Sequence, residues 1–306
     1  MTCVMSPARR RGYVAHMTDL SLGSITANGV DFAHLSCGDG PLALCLHGFP
    51  DSAHGWRHLL PALAAAGYRA VAPFQRGYAP TSVPADGRYQ SGVLGVDAVA
   101  LHEALGGDAD AVIIGHDWGA SGTHAAAAIA PERWRKVVSM AVPPGPAIGM
   151  AFLGNLAQLK RSWYMFFFQS PLAEMVVPGN DLAFVDMLWN DWSPGFDATV
   201  EVAHVKQALG TPENLAAALG YYRATLGAGY KDPALDAAQA ATSAMPTQPM
   251  LYLHGRNDGC IGVEVAELAR SMATPNITVE IVEGAGHFLH IERPDVVNAR
   301  IVEFLA

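Results

Sequence analysis

Short, continuous apolar runs alternate along this chain with longer segments that could form helices. The apolar runs lack the in-out alternation of a half-exposed strand and are typical of strands buried on both faces of a parallel sheet. Strands are predicted at Leu42–Leu46, Tyr68–Ala72, Ala111–Ile114, Lys136–Ala141, Met250–Leu253 and Thr278–Val282. Helices are predicted at Leu59–Ala66, Ser91–Leu105, Ala120–Ala130, Gly262–Met272 and Pro294–Leu305. This order predicts an α/β fold with a mostly parallel, doubly wound sheet.

The N-terminal region has a different pattern. Asn28-Gly29 separates two segments of alternating character, 20–26 and 30–35. An Asn-Gly pair favours a two-residue turn, so the sheet is predicted to begin with an antiparallel hairpin. Residues 1–17 are polar, and no apolar run follows their Arg9-Arg10-Arg11 triplet. We therefore predict that residues 1–17 are a disordered N-terminal tail, or arise from an upstream start codon, rather than an export signal.

Residues 146–245 interrupt the alternation of strands and helices. This segment lies between two predicted core strands and is rich in Trp, Phe, Met and Tyr, with helix-compatible patches. At about a hundred residues it is far longer than a connecting loop in a compact domain. We predict an inserted helical cap at 146–245 on a doubly wound α/β core formed by residues 18–145 and 246–306.

Composition and charge exclude several functional classes. The chain has 306 residues, 51% of them hydrophobic, and a formal net charge of −9. It has no basic stripe, so nucleic acid is not expected as a partner. No apolar stretch reaches the roughly 18 residues of a membrane span, so no membrane association is expected. Its four cysteines are scattered without metal-ligand spacing, which predicts a reducing, cytoplasmic setting and no metal site.

Candidate chemistry begins at Gly115-His116-Asp117-Trp118-Gly119, between a predicted strand and a predicted helix. In a G-x-S-x-G turn the glycines permit a strained backbone that exposes the central nucleophile, and the next helix directs N–H groups at the reaction centre. Here the central residue is Asp117. A carboxylate that attacks a saturated carbon forms an ester that water can cleave, which points to epoxides or alkyl halides. The alternative role for Asp117 is a helix N-cap.

Two later strands are followed by residues that could assist Asp117. His287 lies in the glycine-rich loop after the strand at 278–282 and is the predicted general base, with His290 as the competing candidate. Asp258 follows the strand at 250–253 and is predicted to orient the imidazole, although a turn aspartate is the alternative. The order Asp117, Asp258, His287 matches the nucleophile, acid and histidine order of α/β hydrolases.

His47-Gly48-Phe49-Pro50 follows the strand at 42–46, where a backbone donor for an oxyanion is needed. We predict that the N–H groups of Phe49 and Trp118 form this oxyanion hole, with His47, Gly48 and Pro50 in the supporting loop. A plain strand-to-helix loop is the alternative.

Together with Gln75-Arg76-Gly77-Tyr78, these motifs resemble those of the epoxide hydrolases of the α/β-hydrolase superfamily, from about Leu42 to the C-terminus. The core motifs are shared with haloalkane dehalogenases, so the cap distinguishes the two. The resemblance implies two cap tyrosines whose hydroxyls bind and protonate the epoxide oxygen. Tyr164, with Gln169 and a proline after it, and Tyr222, which directly precedes an arginine, match the two tyrosine contexts.

The resemblance implies hydrolysis of an apolar or aromatic epoxide to a vicinal diol in two steps. Asp117 forms an ester, and water activated by His287 then cleaves it. No cofactor and no metal are expected, and the expected partners are a small-molecule epoxide and water, for a monomer or homodimer. One alternative is a haloalkane dehalogenase, which would need indole donors to halide such as Trp118 with Trp163, Trp189 or Trp192. An alternative of another class is a noncatalytic ligand-binding protein on the same fold.

Overall fold

This computed structural model describes residues 20–306, and the tail predicted at 1–17 lies outside that range. Its strands are β1 (Ser21–Ala27), β2 (Val30–Cys37), β3 (Leu42–Leu46), β4 (Arg69–Pro73), β5 (Val112–His116), β6 (Lys136–Met140), β7 (Met250–Gly255) and β8 (Ile277–Val282). They form one sheet in the order β1-β2-β4-β3-β5-β6-β7-β8. β2 pairs antiparallel with β1 and β4, and the other pairs are parallel.

Helices follow most of the strands. They are α1 (Leu59–Ala65), α2 (Ser91–Ala104), α3 (Trp118–Ile129), α4 (Ala147–Gly154), α5 (Leu156–Arg161), α6 (Trp163–Phe167), α7 (Leu172–Val176), α8 (Gly179–Trp192), α9 (Thr199–Ala208), α10 (Pro212–Leu226), α11 (Asp236–Ala241), α12 (Val263–Met272), α13 (Leu289–Glu292) and α14 (Pro294–Leu305). The mostly parallel, doubly wound α/β fold predicted from the sequence is confirmed.

The hairpin of β1 and β2 turns at Asn28 and Gly29, whose φ angles are 45° and 71°. Positive φ at both central residues matches the right-handed twist of the two strands, which explains the Asn-Gly pair. Beyond the hairpin, β3 lies between β4 and β5. The chain therefore adds β4 on one side of β3 and then crosses back to add β5 on the other side. Ligands of such sheets bind outside the carboxyl ends of the strands, next to this reversal.

Right-handed crossovers place α1 on one face of the sheet and α2 on the other, because β3 to β4 and β4 to β5 run in opposite directions across it. α14 packs against α1, and α3 packs against α2. The apolar side chains between these layers form the core, and β3 and β5 are buried along their whole length. The sheet is therefore covered on both faces, as its unalternating strands predict.

The chain between β6 and β7 folds into α4 to α11. Assignment of 146–245 as a separate cap stays a prediction, and we refer to these residues as the helical insertion. No helix within residues 20–306 combines the length and apolar composition needed to cross a bilayer.

Candidate active site

The candidate residues follow strands that end at one edge of the sheet. The loop containing Phe49 follows β3, Asp117 follows β5, Asp258 follows β7 and His287 lies in the loop after β8. Because these strands are parallel, their carboxyl ends meet at the same edge. The topology thus brings together side chains that are up to 238 residues apart in the sequence.

Asp117 occupies a backbone conformation that L-residues rarely adopt, with φ 53° and ψ −121°. The turn is tight on both sides, because a Cβ on Gly115 would collide with the carbonyl of Gly119, and one on Gly119 with the carbonyl of Leu46. α3 begins at Trp118, two residues before the predicted start, because the chain turns directly from the strand into the helix. Asp117 occupies the N-cap position of α3, as the alternative interpretation expects, but its side chain makes no capping hydrogen bond to the helix.

The loop after β3 holds one oxygen of this carboxylate. The N–H of Phe49 donates a 2.8 Å hydrogen bond to Oδ1 of Asp117. A Cβ on Gly48 would collide with the same oxygen, so only glycine allows this close approach. Burial alone would raise the pKa of Asp117, but the neighbouring imidazole of His287 and the Phe49 N–H hold it below its ordinary value. Asp117 is therefore a carboxylate anion with one oxygen fixed and the other available.

His47 braces this loop from behind. The N–H of Gln75 donates to Nε2 of His47 over 2.9 Å, so that nitrogen is an acceptor. Nδ1 therefore carries the proton and donates to the carbonyl of Gly48 at 2.9 Å. Burial lowers the pKa of His47, consistent with a neutral ring. On the other side of the loop, the indole N–H of Trp189 donates to the carbonyl of Pro50 at 2.9 Å.

His287 lies between the two carboxylates. Its Nδ1 is 2.9 Å from Oδ2 of Asp258, and its Nε2 is 3.7 Å from Oδ2 of Asp117. Burial would lower the pKa of His287, but the charge of Asp258 and the contact with Asp117 outweigh it and raise the pKa to about 10. Asp258 is itself fixed, because its Oδ1 accepts hydrogen bonds of 2.7 and 2.8 Å from the N–H groups of Cys260 and Ile261.

The competing histidine, His290, lies away from this pair. Its Nε2 is 3.8 Å from Oδ2 of Asp51, and burial lowers its pKa to about 3. His116 packs between the two histidines and donates from Nε2 to the carbonyl of His287 at 2.9 Å. The structure therefore places His287, and not His290, next to Asp117.

The two predicted tyrosines approach from the helical insertion. Tyr164 on α6 and Tyr222 on α10 are fully buried, and their rings meet edge to face with centroids 5.7 Å apart. The hydroxyl of Tyr222 has no hydrogen-bond partner within residues 20–306. Burial raises the pKa of both phenols well above 10, and the charge of Asp117 contributes further. Both are therefore neutral O–H donors at pH 7.

Tyr221, the neighbour of Tyr222, points elsewhere, as the helical angle of about 100° per residue predicts. Its hydroxyl donates to the carbonyl of Arg76 at 2.8 Å. That arginine forms a fully buried, two-pronged ion pair with Asp97 of α2, with both contacts at 2.6 Å. Tyr221 and Arg76 thus join the insertion to the core.

Cys260 contacts the site although no sequence motif assigned it a role. Its buried sulfur lies 3.3 Å from the hydroxyl of Tyr164. Burial raises the pKa of the thiol well above its ordinary value, and the charge of Asp258 adds to the shift. The thiol is therefore a neutral, weak hydrogen-bond partner for Tyr164. Its position two residues after Asp258 is the only signal in the sequence that could have pointed to it.

A cavity of about 240 Å³ opens on Asp117. Trp118 and Tyr222 line it, and so do apolar side chains of the loop after β6 and of α4, including Val142, Ile148 and Phe152. A larger groove of about 580 Å³ runs over the helical insertion beside Lys206, but no predicted site residue lines it. The smaller cavity is where a substrate could meet the carboxylate.

Comparisons with known proteins identify the family of this chain. The family model for the alpha/beta hydrolase fold matches residues 41–294. Epoxide hydrolase 3 of Siraitia grosvenorii is 30% identical over 92% of this chain and 97% of its own length. Epoxide hydrolase A of Mycobacterium tuberculosis is 29% identical over 92% of this chain and 96% of its own.

Solved structures give the same result. The epoxide hydrolase of Bacillus megaterium, in complex with an inhibitor, superposes with a TM-score of 0.78 at 26% identity, covering 92% of this chain and 99% of that one. Epoxide hydrolase A of Mycobacterium thermoresistibile superposes with a TM-score of 0.76 at 28% identity, covering 94% and 98%. This chain belongs to the α/β-hydrolase fold family and, within it, to the epoxide hydrolases.

Proposed function

We propose that this enzyme hydrolyses an apolar or aromatic epoxide to a vicinal diol through a covalent ester on Asp117. One observation carries the proposal: the buried, unpartnered hydroxyl of Tyr222 lines the same cavity as the carboxylate of Asp117. Burying a hydroxyl without a partner is costly unless a ligand supplies one. An epoxide oxygen would accept from this hydroxyl while Asp117 attacks the adjacent carbon.

In the first step, Oδ2 of Asp117 attacks a ring carbon, because Oδ1 is held by the Phe49 N–H. A new C–O ester bond forms and the C–O bond of the epoxide breaks. The departing oxygen is strongly basic unless a proton reaches it as the bond breaks. Tyr164 and Tyr222 would stabilise it by hydrogen bonds and supply that proton, leaving a glycol monoester on the enzyme.

In the second step, the ester has removed the negative charge that Asp117 placed beside His287. That charge helps to raise the pKa of the imidazole, so the pKa falls once the ester forms. The imidazolium then gives up its proton, which restores the tyrosine that protonated the epoxide oxygen, and the neutral His287 can act as a base. It takes a proton from water, and the hydroxide attacks Cγ of Asp117. The N–H groups of Phe49 and Trp118 would hold the resulting oxyanion. As the oxyanion collapses, the C–O ester bond breaks, the diol oxygen takes the second proton of the attacking water, and the carboxylate of Asp117 is restored. The proposed reaction uses no metal and no organic cofactor.

A haloalkane dehalogenase would need two indole N–H donors to the halide. In the structure, not all of the tryptophans named from the sequence are placed to supply one. Trp189 already donates to the carbonyl of Pro50, and the side chain of Trp163 is 43% exposed. Trp118 is the indole that lines the cavity with an unpartnered N–H. Trp192 packs against the rings of Tyr164 and His287 and is not part of the cavity lining. A noncatalytic binding protein would gain nothing from a strained carboxylate beside an ion-paired histidine.

A direct comparison of products tests the proposal. Purified protein is incubated with styrene oxide and with 1,2-epoxyoctane, and in parallel with 1-chlorobutane and 1-bromobutane, while diol and halide are measured. We expect diol from the epoxides, no halide above background, and no diol from Asp117→Asn. Halide release without diol formation would favour the dehalogenase, and equal behaviour of wild type and Asp117→Asn would favour the binding protein.

We also infer a reducing, cytoplasmic setting, with the enzyme as a monomer or homodimer. The free, buried thiols of Cys37, Cys45 and Cys260 support the first of these points.

A further inference from the structure

One wall of the cavity that opens on Asp117 carries hydroxyl groups. Ser91 at the start of α2, Ser121 on α3 and Thr225 on α10 all line it. Thr242 and Ser243 line the cavity as well, although the Thr242 hydroxyl already donates to the carbonyl of Gln239. The rest of the lining is mainly apolar and includes Ile148 and Phe152. A cavity for a purely hydrocarbon epoxide would not need these hydroxyls.

Two of these hydroxyls lie one helical turn beyond a residue of the proposed reaction. Ser121 lies in the first turn of α3, which begins directly after Asp117, and its N–H donates to the carbonyl of Asp117 at 3.3 Å. Thr225 is three residues after Tyr222 on α10. Residues three or four apart lie on the same helix face, with one turn advancing about 5.4 Å. The two hydroxyls therefore lie about one turn away from the groups that would hold the epoxide.

The hydroxyl protons of Ser91, Ser121 and Thr225 are not donated in hydrogen bonds within the described residues. Thr225 Oγ1 accepts a 3.0 Å hydrogen bond from the N–H of Ser91, and Ser91 Oγ accepts one of 2.8 Å from the side chain of Gln239. Ser121 Oγ makes no hydrogen bond with any residue from 20 to 306, and within that range no atom accepts the O–H of Ser91 or Thr225. The wall therefore offers donors and lacks acceptors for them.

The charge of the cavity restricts the ligand group further. Asp117 is the one charged residue of the lining described in residues 20–306, and the whole chain has a net charge of −9. An anionic group such as a carboxylate would meet no cation here and would be repelled by Asp117. A neutral oxygen acceptor is the group that fits three O–H donors.

We infer that the substrate is an epoxide with a mainly apolar body and a neutral oxygen acceptor, an ether, ester, ketone or alcohol, about one helical turn from the epoxide ring. Ser121 and Thr225 donate hydrogen bonds to that oxygen. This inference rests on the proposed function and adds the substrate class. Ser121 and Thr225 are half-buried. A substrate without the oxygen would cover their hydroxyls and leave them unpaired, which is how such a site discriminates between substrates.

A matched pair of substrates tests this subsite. In 1,2-epoxy-6-methoxyhexane an ether oxygen replaces one methylene of 1,2-epoxyoctane, five bonds from the ring, with the heavy-atom count unchanged. We expect wild type to prefer the ether about fivefold to tenfold in kcat/KM, the range that one net hydrogen bond gives. Ser121→Ala and Thr225→Val should reduce that ratio toward one.

Two further variants separate the subsite from general damage. Thr225→Ser keeps the hydroxyl and should restore most of the preference lost in Thr225→Val. Ser271→Ala, on the exposed face of α12, should leave the ratio at its wild-type value. Thermal unfolding of each variant confirms that it is folded.

Hydrolysis of both epoxides by wild type with equal kcat/KM, or an ether preference that Ser121→Ala and Thr225→Val both leave intact, would overturn the subsite and leave the hydrolase standing. Absence of diol from both epoxides, at the level of Asp117→Asn, would overturn the proposed function and the subsite together.

Discussion

The N–H of Phe49 donates a 2.8 Å hydrogen bond to Oδ1 of Asp117. A donor predicted for the oxyanion of the second step thus already orients the carboxylate in the resting protein. With Oδ1 held, Oδ2 is the oxygen that faces His287, 3.7 Å from its Nε2. One backbone group can therefore fix the nucleophile first and stabilise the oxyanion later, without rearrangement of the loop.

The strained backbone at Asp117 predicts a stability difference between two inactive variants. At φ 53° and ψ −121°, alanine keeps the steric conflict of a Cβ, whereas glycine relieves it. Both substitutions remove the carboxylate equally. We expect Asp117→Gly to unfold in urea with a free energy about 1 kcal/mol larger than that of Asp117→Ala. An Asp117→Ala protein as stable as Asp117→Gly would show that the turn stores no such strain.

The two buried tyrosines predict losses of rate that their neighbour does not share. Tyr164→Phe and Tyr222→Phe should each lower kcat/KM for the epoxide about tenfold to a hundredfold, and the double variant should lose more, because proton donation is removed. Tyr221→Phe is the matched control. It loses a hydrogen bond to Arg76, so it should lose about 1 kcal/mol of stability and keep its rate. An effect of Tyr221→Phe equal to that of Tyr222→Phe would contradict this assignment.

The raised pKa of His287 predicts a particular pH dependence of stability. The folded pKa is about 10, above the unfolded value of about 6.5, so the native state binds the proton more tightly. The stabilisation is therefore complete below about pH 6.5 and is lost as the pH rises toward 10. Urea unfolding of wild type and His287→Gln at pH 6, 8 and 10 measures it. Their difference in free energy of unfolding should shrink as the pH rises, and a constant difference would argue against the raised pKa.

The buried ion pair of Arg76 and Asp97 predicts a large effect on stability. Removing one partner leaves the other charge buried and uncompensated, which costs about 3–5 kcal/mol. We expect Arg76→Met to lose that amount in chemical unfolding, and Arg76→Met with Asp97→Leu to recover part of it. If the double variant is no more stable than the single one, the loss does not arise from an unpaired carboxylate.

The sequence predicted the elements that depend on local pattern. The unalternating strands, the Asn-Gly hairpin and the glycines around Asp117 each follow from a rule about neighbouring residues, and each lies where the structure has it. The meeting of Asp117 and His287 could also be anticipated, because parallel strands end at one edge.

Contacts between distant side chains could not be predicted in this way. The Cys260 to Tyr164 contact joins residues 96 positions apart, and no periodicity records it. The hydroxyl wall of Ser91, Ser121 and Thr225 draws one residue from each of three helices. The aromatic and methionine content of the insertion predicted an apolar substrate. Composition describes the whole segment, however, whereas packing decides which of its side chains line the cavity.

The central claim is that Asp117 forms a covalent ester, and a single turnover in ¹⁸O-labelled water tests it most directly. Enzyme in excess over epoxide is allowed one turnover, and the peptide containing Asp117 is analysed by mass spectrometry alongside the diol. Our account predicts that the label enters the carboxylate of Asp117, because water attacks Cγ of the ester, and that the first diol is unlabelled. Label in the first diol with none in Asp117 would show that water attacks the epoxide directly and would contradict the account.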